Sequence, residues 1–210
     1  MRRTIGWAAV AALVVWQLSA GRAGASITAW NCDNDHDGAI NCTVSNWTEV
    51  DPVNHVYDMS IQGDHLQWQP GDMVGWFNTD SITDPTLNVD TSVNNDTGFA
   101  WTGYEADISM NHPFTLSNVV INTPASWTYT LIPVAYNVGL SEYVGTIDMT
   151  GTPVIPIGGT LDFQYTMSFS GYTSFSFTET LTPVPEPASL GILALGGFGL
   201  MSSRRLRRAA

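Results

Sequence analysis

Residues 161–169 alternate without a break, with Leu161, Phe163, Tyr165, Met167 and Phe169 on one side and Asp162, Gln164, Thr166 and Ser168 on the other. A period of two sends successive side chains to opposite faces of a strand, so one face of this segment is buried and the other is wet. After Ser170, Gly171, Tyr172 and Thr173 the pattern resumes with Phe175, Phe177 and Leu181, and the two runs together predict a terminal β-hairpin. Similar stretches at 73–78, 99–110, 114–121, 127–136 and 143–149 are divided by Gly, Pro, Asn and Asp clusters, and no helical period competes with them. Residues 78–98, crowded with Asn, Asp, Ser and Thr, read instead as a long ordered loop with one short strand. Pro124, Pro133, Pro153 and Pro156 lack the ladder donor and belong at edges, strand starts or connections. The predicted fold is all-β, an antiparallel β-sandwich or jelly roll over 26–183.

Both ends of the chain differ from this pattern. Arg2 and Arg3 precede an apolar run at 5–18, and Ala23-Gly24-Ala25 supplies a small-residue cleavage site before Ser26, so 1–25 reads as a signal peptide cut between Ala25 and Ser26. An uncleaved anchor is the alternative, but the run is short for a membrane span of about 20 residues. At the other end, Val184-Pro185-Glu186-Pro187 leads into an apolar run at 188–201, then Ser202-Ser203 and Arg204, Arg205, Arg207 and Arg208. The prolines remove backbone donors and are expected to hold an extended segment clear of the domain's last strand. The apolar run reads as a short hydrophobic helix, a membrane segment over 188–203 with the arginines kept cytoplasmic. Its glycines and shortness make it a poor permanent anchor.

This three-part tail, 184–208, resembles the PEP-CTERM sorting signal, with Val184, Pro185, Glu186 and Pro187 on the motif and Arg204, Arg205, Arg207 and Arg208 on the basic end. The resemblance implies a Gram-negative source, export machinery and a membrane-embedded exosortase as partners, and removal of the tail. It also implies delivery to the cell surface or extracellular matrix, often beside exopolysaccharide. A plain tail anchor is the competing reading.

Charge narrows the remaining possibilities. The 210 residues carry 19 acidic groups, seven arginines and no lysine, for a net charge of −12, and every arginine lies outside 26–184. A domain so acidic repels phosphate and anionic lipid, which excludes nucleic acid as a partner and disfavours nucleotides.

The sharpest local motif is Asp33-Asn34-Asp35-His36-Asp37-Gly38, followed by Asn41. Carboxylates at alternate positions before a glycine turn can converge hard oxygens on a cation, so Asp33, Asp35, Asp37, Asn41 and the Ala39 carbonyl form a candidate structural calcium site. Val44 stands where an EF-hand has its bidentate Glu, and a solvated Asx-turn loop is the other reading. Cys32 and Cys42 bracket the loop, and an exported chain favours a disulfide between them, worth roughly 2 to 3 kcal/mol in the chain-entropy model.

Catalysis finds no support. The chain lacks a nucleophile elbow, a phosphate loop and a zinc-type histidine motif, and it is expected not to be an enzyme, although carboxylates such as Glu105 and Glu142 keep a secreted glycosidase in view. Among six tryptophans in the domain, Trp47 and Trp68 sit near turn-like polar residues and are the candidates for an exposed sugar platform. The expectation is an exported structural or adhesive surface protein, with a carbohydrate-binding module as the alternative.

Overall fold

The computed structural model describes residues 25–83 and 85–186, so most of the signal segment and everything from Pro187 onward, including the arginine cluster, lie outside the described residues. Eleven strands follow one another: β1 (Ile27–Asn34), β2 (Ile40–Asp51), β3 (Val56–His65), β4 (Gly71–Thr79), β5 (Thr86–Asn95) and β6 (Trp101–Met110). The rest are β7 (Phe114–Thr123), β8 (Thr128–Asn137), β9 (Glu142–Ile155), β10 (Thr160–Phe169) and β11 (Ser174–Pro185), and no helix occurs among the described residues.

Two sheets face each other, one in the order β1-β4-β11-β6-β9-β8 and the other in the order β2-β3-β5-β10-β7. Every pairing is antiparallel except β3 with β5, which is parallel because β4 crosses to the other sheet between them. Odd strands run one way and even strands the other. The loops at 35–39, 66–70, 96–100, 124–127 and 156–159 therefore share one end of the sandwich, and β11 leaves from that same end.

The expected alternation of β10 is present, with Leu161, Phe163, Tyr165, Met167 and Phe169 all buried between the sheets. Phe77 stacks on Phe169 at 5.7 Å and meets Phe177 at 5.6 Å, while Phe169 meets Phe175 at 4.6 Å, so aromatic rings from both sheets interlock. Each such ring contributes about 1.5 to 3 kcal/mol through burial alone.

Three expectations are corrected. β10 and β11 are not a hairpin, since β10 pairs with β5 and β7 while β11 pairs with β4 and β6, so the turn at 170–173 crosses from one sheet to the other. The supposed loop at 78–98 contains β5, a ten-residue strand between β3 and β10. Its inward positions include Thr91 and Asn95 beside Leu87, Val89 and Val93, which diluted the apolar signal. Finally, the last strand does not stop short of the tail motif, because Val184 and Pro185 belong to β11. Pro133 lies as expected in the edge strand β8 where the pairing with β9 slips, Pro124 in the β7–β8 turn and Pro156 in the β9–β10 connection. Pro153 instead lies inside β9, an inner strand, where an irregularity in the pairing with β6 accommodates its missing donor.

Candidate functional site

The outer face of the five-stranded sheet is built from the polar half of each alternation. Register carries these side chains into rows across the strands. In one row Asn88 Nδ2 donates to Asp58 Oδ1 at 2.9 Å, Thr166 Oγ1 donates to Asn88 Oδ1 at 3.0 Å, and Asn118 Nδ2 reaches Thr166 Oγ1 at 3.4 Å, linking β3, β5, β10 and β7. In another, Asn94 Nδ2 donates to Asp64 Oδ1 at 2.8 Å and Thr160 Oγ1 donates to Asn94 Oδ1 at 2.8 Å. Carboxamides are suited to this role because they donate and accept at once, and each bond fixes the next side chain's rotamer.

Two shallow open depressions lie on this face, of about 440 Å³ over Asn46, Asp58, Ser60, Asn88, Asp90, Asn118, Gln164 and Thr166, and of about 450 Å³ over Asn41, Thr43, Gln62, Asp64, Ser92 and Asn94. Partial burial first, then the charge of neighbouring Asp162 and a hydrogen bond with it, then the charge of Asp58, hold the Asp90 carboxyl above its ordinary range. The depressions thus offer amide, hydroxyl and carboxyl groups, with the apolar Met59, Val89 and Val120 also lining the first, and no basic side chain.

A second polar group is sealed inside. Glu179 takes an inward position on β11, fully buried, and burial pushes its carboxyl up to about 8. The hydroxyls of Tyr165 and Thr91 approach it and offset the rise slightly, but neither reaches hydrogen-bond geometry, and both Glu179 oxygens remain unpartnered. His65 is buried at the exit end. Its Nε2 lies 2.9 Å from the Gln69 carbonyl, which only accepts, so Nε2 carries the proton and Nδ1 accepts from the Tyr104 hydroxyl at 2.8 Å. Burial, opposed in part by the Gln69 bond and the charge of Asp37, lowers its pKa.

The Asp-rich loop is a chain of turn contacts. Asp33 Oδ1 accepts from the Asn34 amide at 2.9 Å, Asp35 Oδ1 from the Asp37 amide at 3.1 Å, and Asp37 Oδ1 from the Ala39 amide at 2.7 Å, while Asn41 Oδ1 accepts from Asn34 Nδ2 at 3.3 Å. Each carboxylate serves its own turn, the Ala39 carbonyl accepts from the Leu66 amide at 2.8 Å, and no cluster of three His, Cys, Asp or Glu side chains able to hold a metal occurs among the described residues. Cys32 and Cys42 are free thiols where a bridge was expected. Burial first, then the charge of Glu179, pushes both up to about 12.

Trp47 and Trp68 do not form one platform. Trp47 pairs in register with Met59 and stacks on Trp30 at 4.4 Å, half-buried, while Trp68 stands 64% exposed on the loop beyond His65. Met59 and His65 lie six positions apart along β3, on the order of 20 Å. Glu105 and Glu142 are equally far apart, since Glu105 faces Asp148 and Glu142 lies six positions back along β9. Asn95, part of a glycosylation-type triplet, is fully buried and ties the exit-end loops together through the carbonyls of Phe99 at 2.9 Å and Ile155 at 3.1 Å. At the opposite end, the backbone nitrogen of Ser26 lies 2.9 Å from Asp80 Oδ1.

Sequence reading missed the polar face because its residues are ordinary one by one. The only signal was the polar half of the β10 alternation, Asp162, Gln164 and Thr166.

No curated protein and no solved structure matches the chain. Residues 183–208 match the family model of the PEP-CTERM protein-sorting motif, so the chain carries the sorting signal of an exported exosortase substrate.

Proposed function

We propose that the delivered domain is a non-catalytic adhesive component of the cell surface or extracellular matrix, and that it holds neutral polysaccharide on the outer face of its five-stranded sheet. The observation that carries this reading is the pair of adjoining depressions lined by carboxamides, hydroxyls and carboxyls. Sugar hydroxyls donate and accept, as these groups do, and a face with Asp58, Asp64, Asp90 and Asp162 and no basic residue repels polyanions. Without aromatic stacking in the depressions each contact is weak, which suits a protein displayed in many copies beside a repeating polymer. Cleavage before Ser26 would turn the nitrogen beside Asp80 into an ammonium, a fixed positive charge in a domain with neither lysine nor arginine.

Affinity electrophoresis of the domain through gels containing neutral polysaccharide tests the proposal. Retardation is expected, lost in the double variant Asn88→Ala/Gln164→Ala and kept in Trp68→Ala. Loss with Trp68→Ala alone would transfer the site to the exit-end loop, and passage without retardation through every neutral polymer would remove the reading.

A further inference from the structure

The sorting motif and the folded domain overlap. The family match begins at residue 183, while β11 continues to Pro185. Pro183 faces Tyr104, Val184 faces Gly103 and Pro185 faces Trp101 on β6. The Glu186 amide donates to the Ala100 carbonyl at 3.1 Å, one residue past the strand. Gly103 leaves room for this contact, because a Cβ there would stand 3.4 Å from Val184 Cβ and 3.0 Å from the Met149 carbonyl. The pairing with β4 ends earlier, at Leu181 opposite Gly71, so 182–186 is held along one edge only. Pro183 and Pro185 give that free edge no donors for another strand.

We infer that the motif is partly zipped into the sheet, and that the cut made on the folded chain lies C-terminal to Glu186. The inference rests on exosortase processing of the tail. A processing enzyme grips an extended peptide on both sides of the bond it breaks. Upstream of Glu186 that backbone is already paired with β6, and the apolar run begins at Ala188, so no slack separates the domain from the enzyme. In the step itself one peptide C–N bond breaks. The tail leaves as an amine after taking up a proton, and the acyl carbon is taken by water or by a hydroxyl or amine acceptor, which the mass of the new end distinguishes. Val184 to Glu186 then stay in place as the end of β11 in the mature protein, covering the start of β6 where Trp101 is buried.

Three measurements test this on the full-length chain in its host. The C-terminal mass of protein from surface and medium fractions is expected to place the last residue at Glu186 or beyond. Hydrogen exchange of the purified chain is expected to slow the Val184 and Glu186 amides at least about tenfold relative to an unpaired chain. A six-residue Gly/Ser spacer inserted after Thr182, which frees the motif from β6, is expected to leave the rate of tail removal within about twofold of wild type, because a cut beyond Glu186 needs no opening of the strand end. A mature end at Pro185 or earlier, unprotected amides, or tail removal about tenfold faster with the spacer would each overturn the inference. An intact tail in every fraction with both amides protected would overturn the processing itself while leaving the strand pairing in place.

Discussion

Glu179→Gln exchanges one carboxyl oxygen for an amide nitrogen in the inter-sheet core, and its effect on stability follows from the position of that side chain. In the unfolded chain the carboxyl titrates near 4.5, and in the folded core near 8. Between those values the folded state keeps a proton that the unfolded state has lost, so stability falls as pH rises, by about 1.4 kcal/mol per unit. Over the whole window the loss is about 5 kcal/mol, and at pH 7 it has reached about 3 kcal/mol. Against a total stability of about 5 to 15 kcal/mol for a domain, that is a large term. Glutamine does not titrate, and the neighbouring Thr91 and Tyr165 hydroxyls can accept from its amide.

Urea unfolding followed by tryptophan fluorescence, for wild type and Glu179→Gln at each pH from 4 to 9, isolates the effect from every other titrating group. The difference between the two proteins is expected to be flat below pH 4.5, to move in favour of the variant through pH 8, and then to level off. A difference independent of pH would mean that Glu179 titrates as an exposed carboxyl, and the account of a sealed inter-sheet acid would be wrong.

With both thiols pushed up to about 12 from an ordinary 9.0, Cys32 and Cys42 of the native protein are expected to react with an aromatic disulfide reagent at pH 8 about a thousandfold more slowly than after unfolding in urea; rapid native reaction would refute their burial beside Glu179. Gly75→Ala places a Cβ against the Asn31 carbonyl and 2.6 Å from Cys32 Sγ, so the urea midpoint is expected to fall by an amount equivalent to about 1 to 3 kcal/mol. Wild-type stability in that variant would contradict the close approach of β1 to β4.

The strand read most clearly from sequence is one whose buried positions are all apolar. β10 has five such positions, and its alternation survives in the fold unchanged. β5 was lost because Thr91 and Asn95 occupy inward sites, one beside Glu179 and the other tying the exit-end loops, so the requirements of the fold removed the hydrophobic signal. The hairpin reading of β10 and β11 failed for a different reason. Alternation determines which face of a strand is buried but not which strand lies beside it, and the same turn serves a hairpin or a crossing between sheets.

The same distinction separates the two candidate sites. The sorting motif was readable because its parts are contiguous in sequence, and its recognition needs no partner from elsewhere in the chain. The polar face joins Asp58, Asn88, Thr166 and Asn118 from four strands, and none of these residues is unusual until register brings them into one row. Where the two meet, at Pro183 to Glu186, local reading placed a boundary inside a strand. The prolines that suggested release from the sheet are compatible with it, because from Thr182 onward β11 has only β6 beside it and the missing donors cost no ladder bond on the open side. A proline in such a segment therefore marks a strand that has become an edge, and here the edge runs directly into the sorting signal.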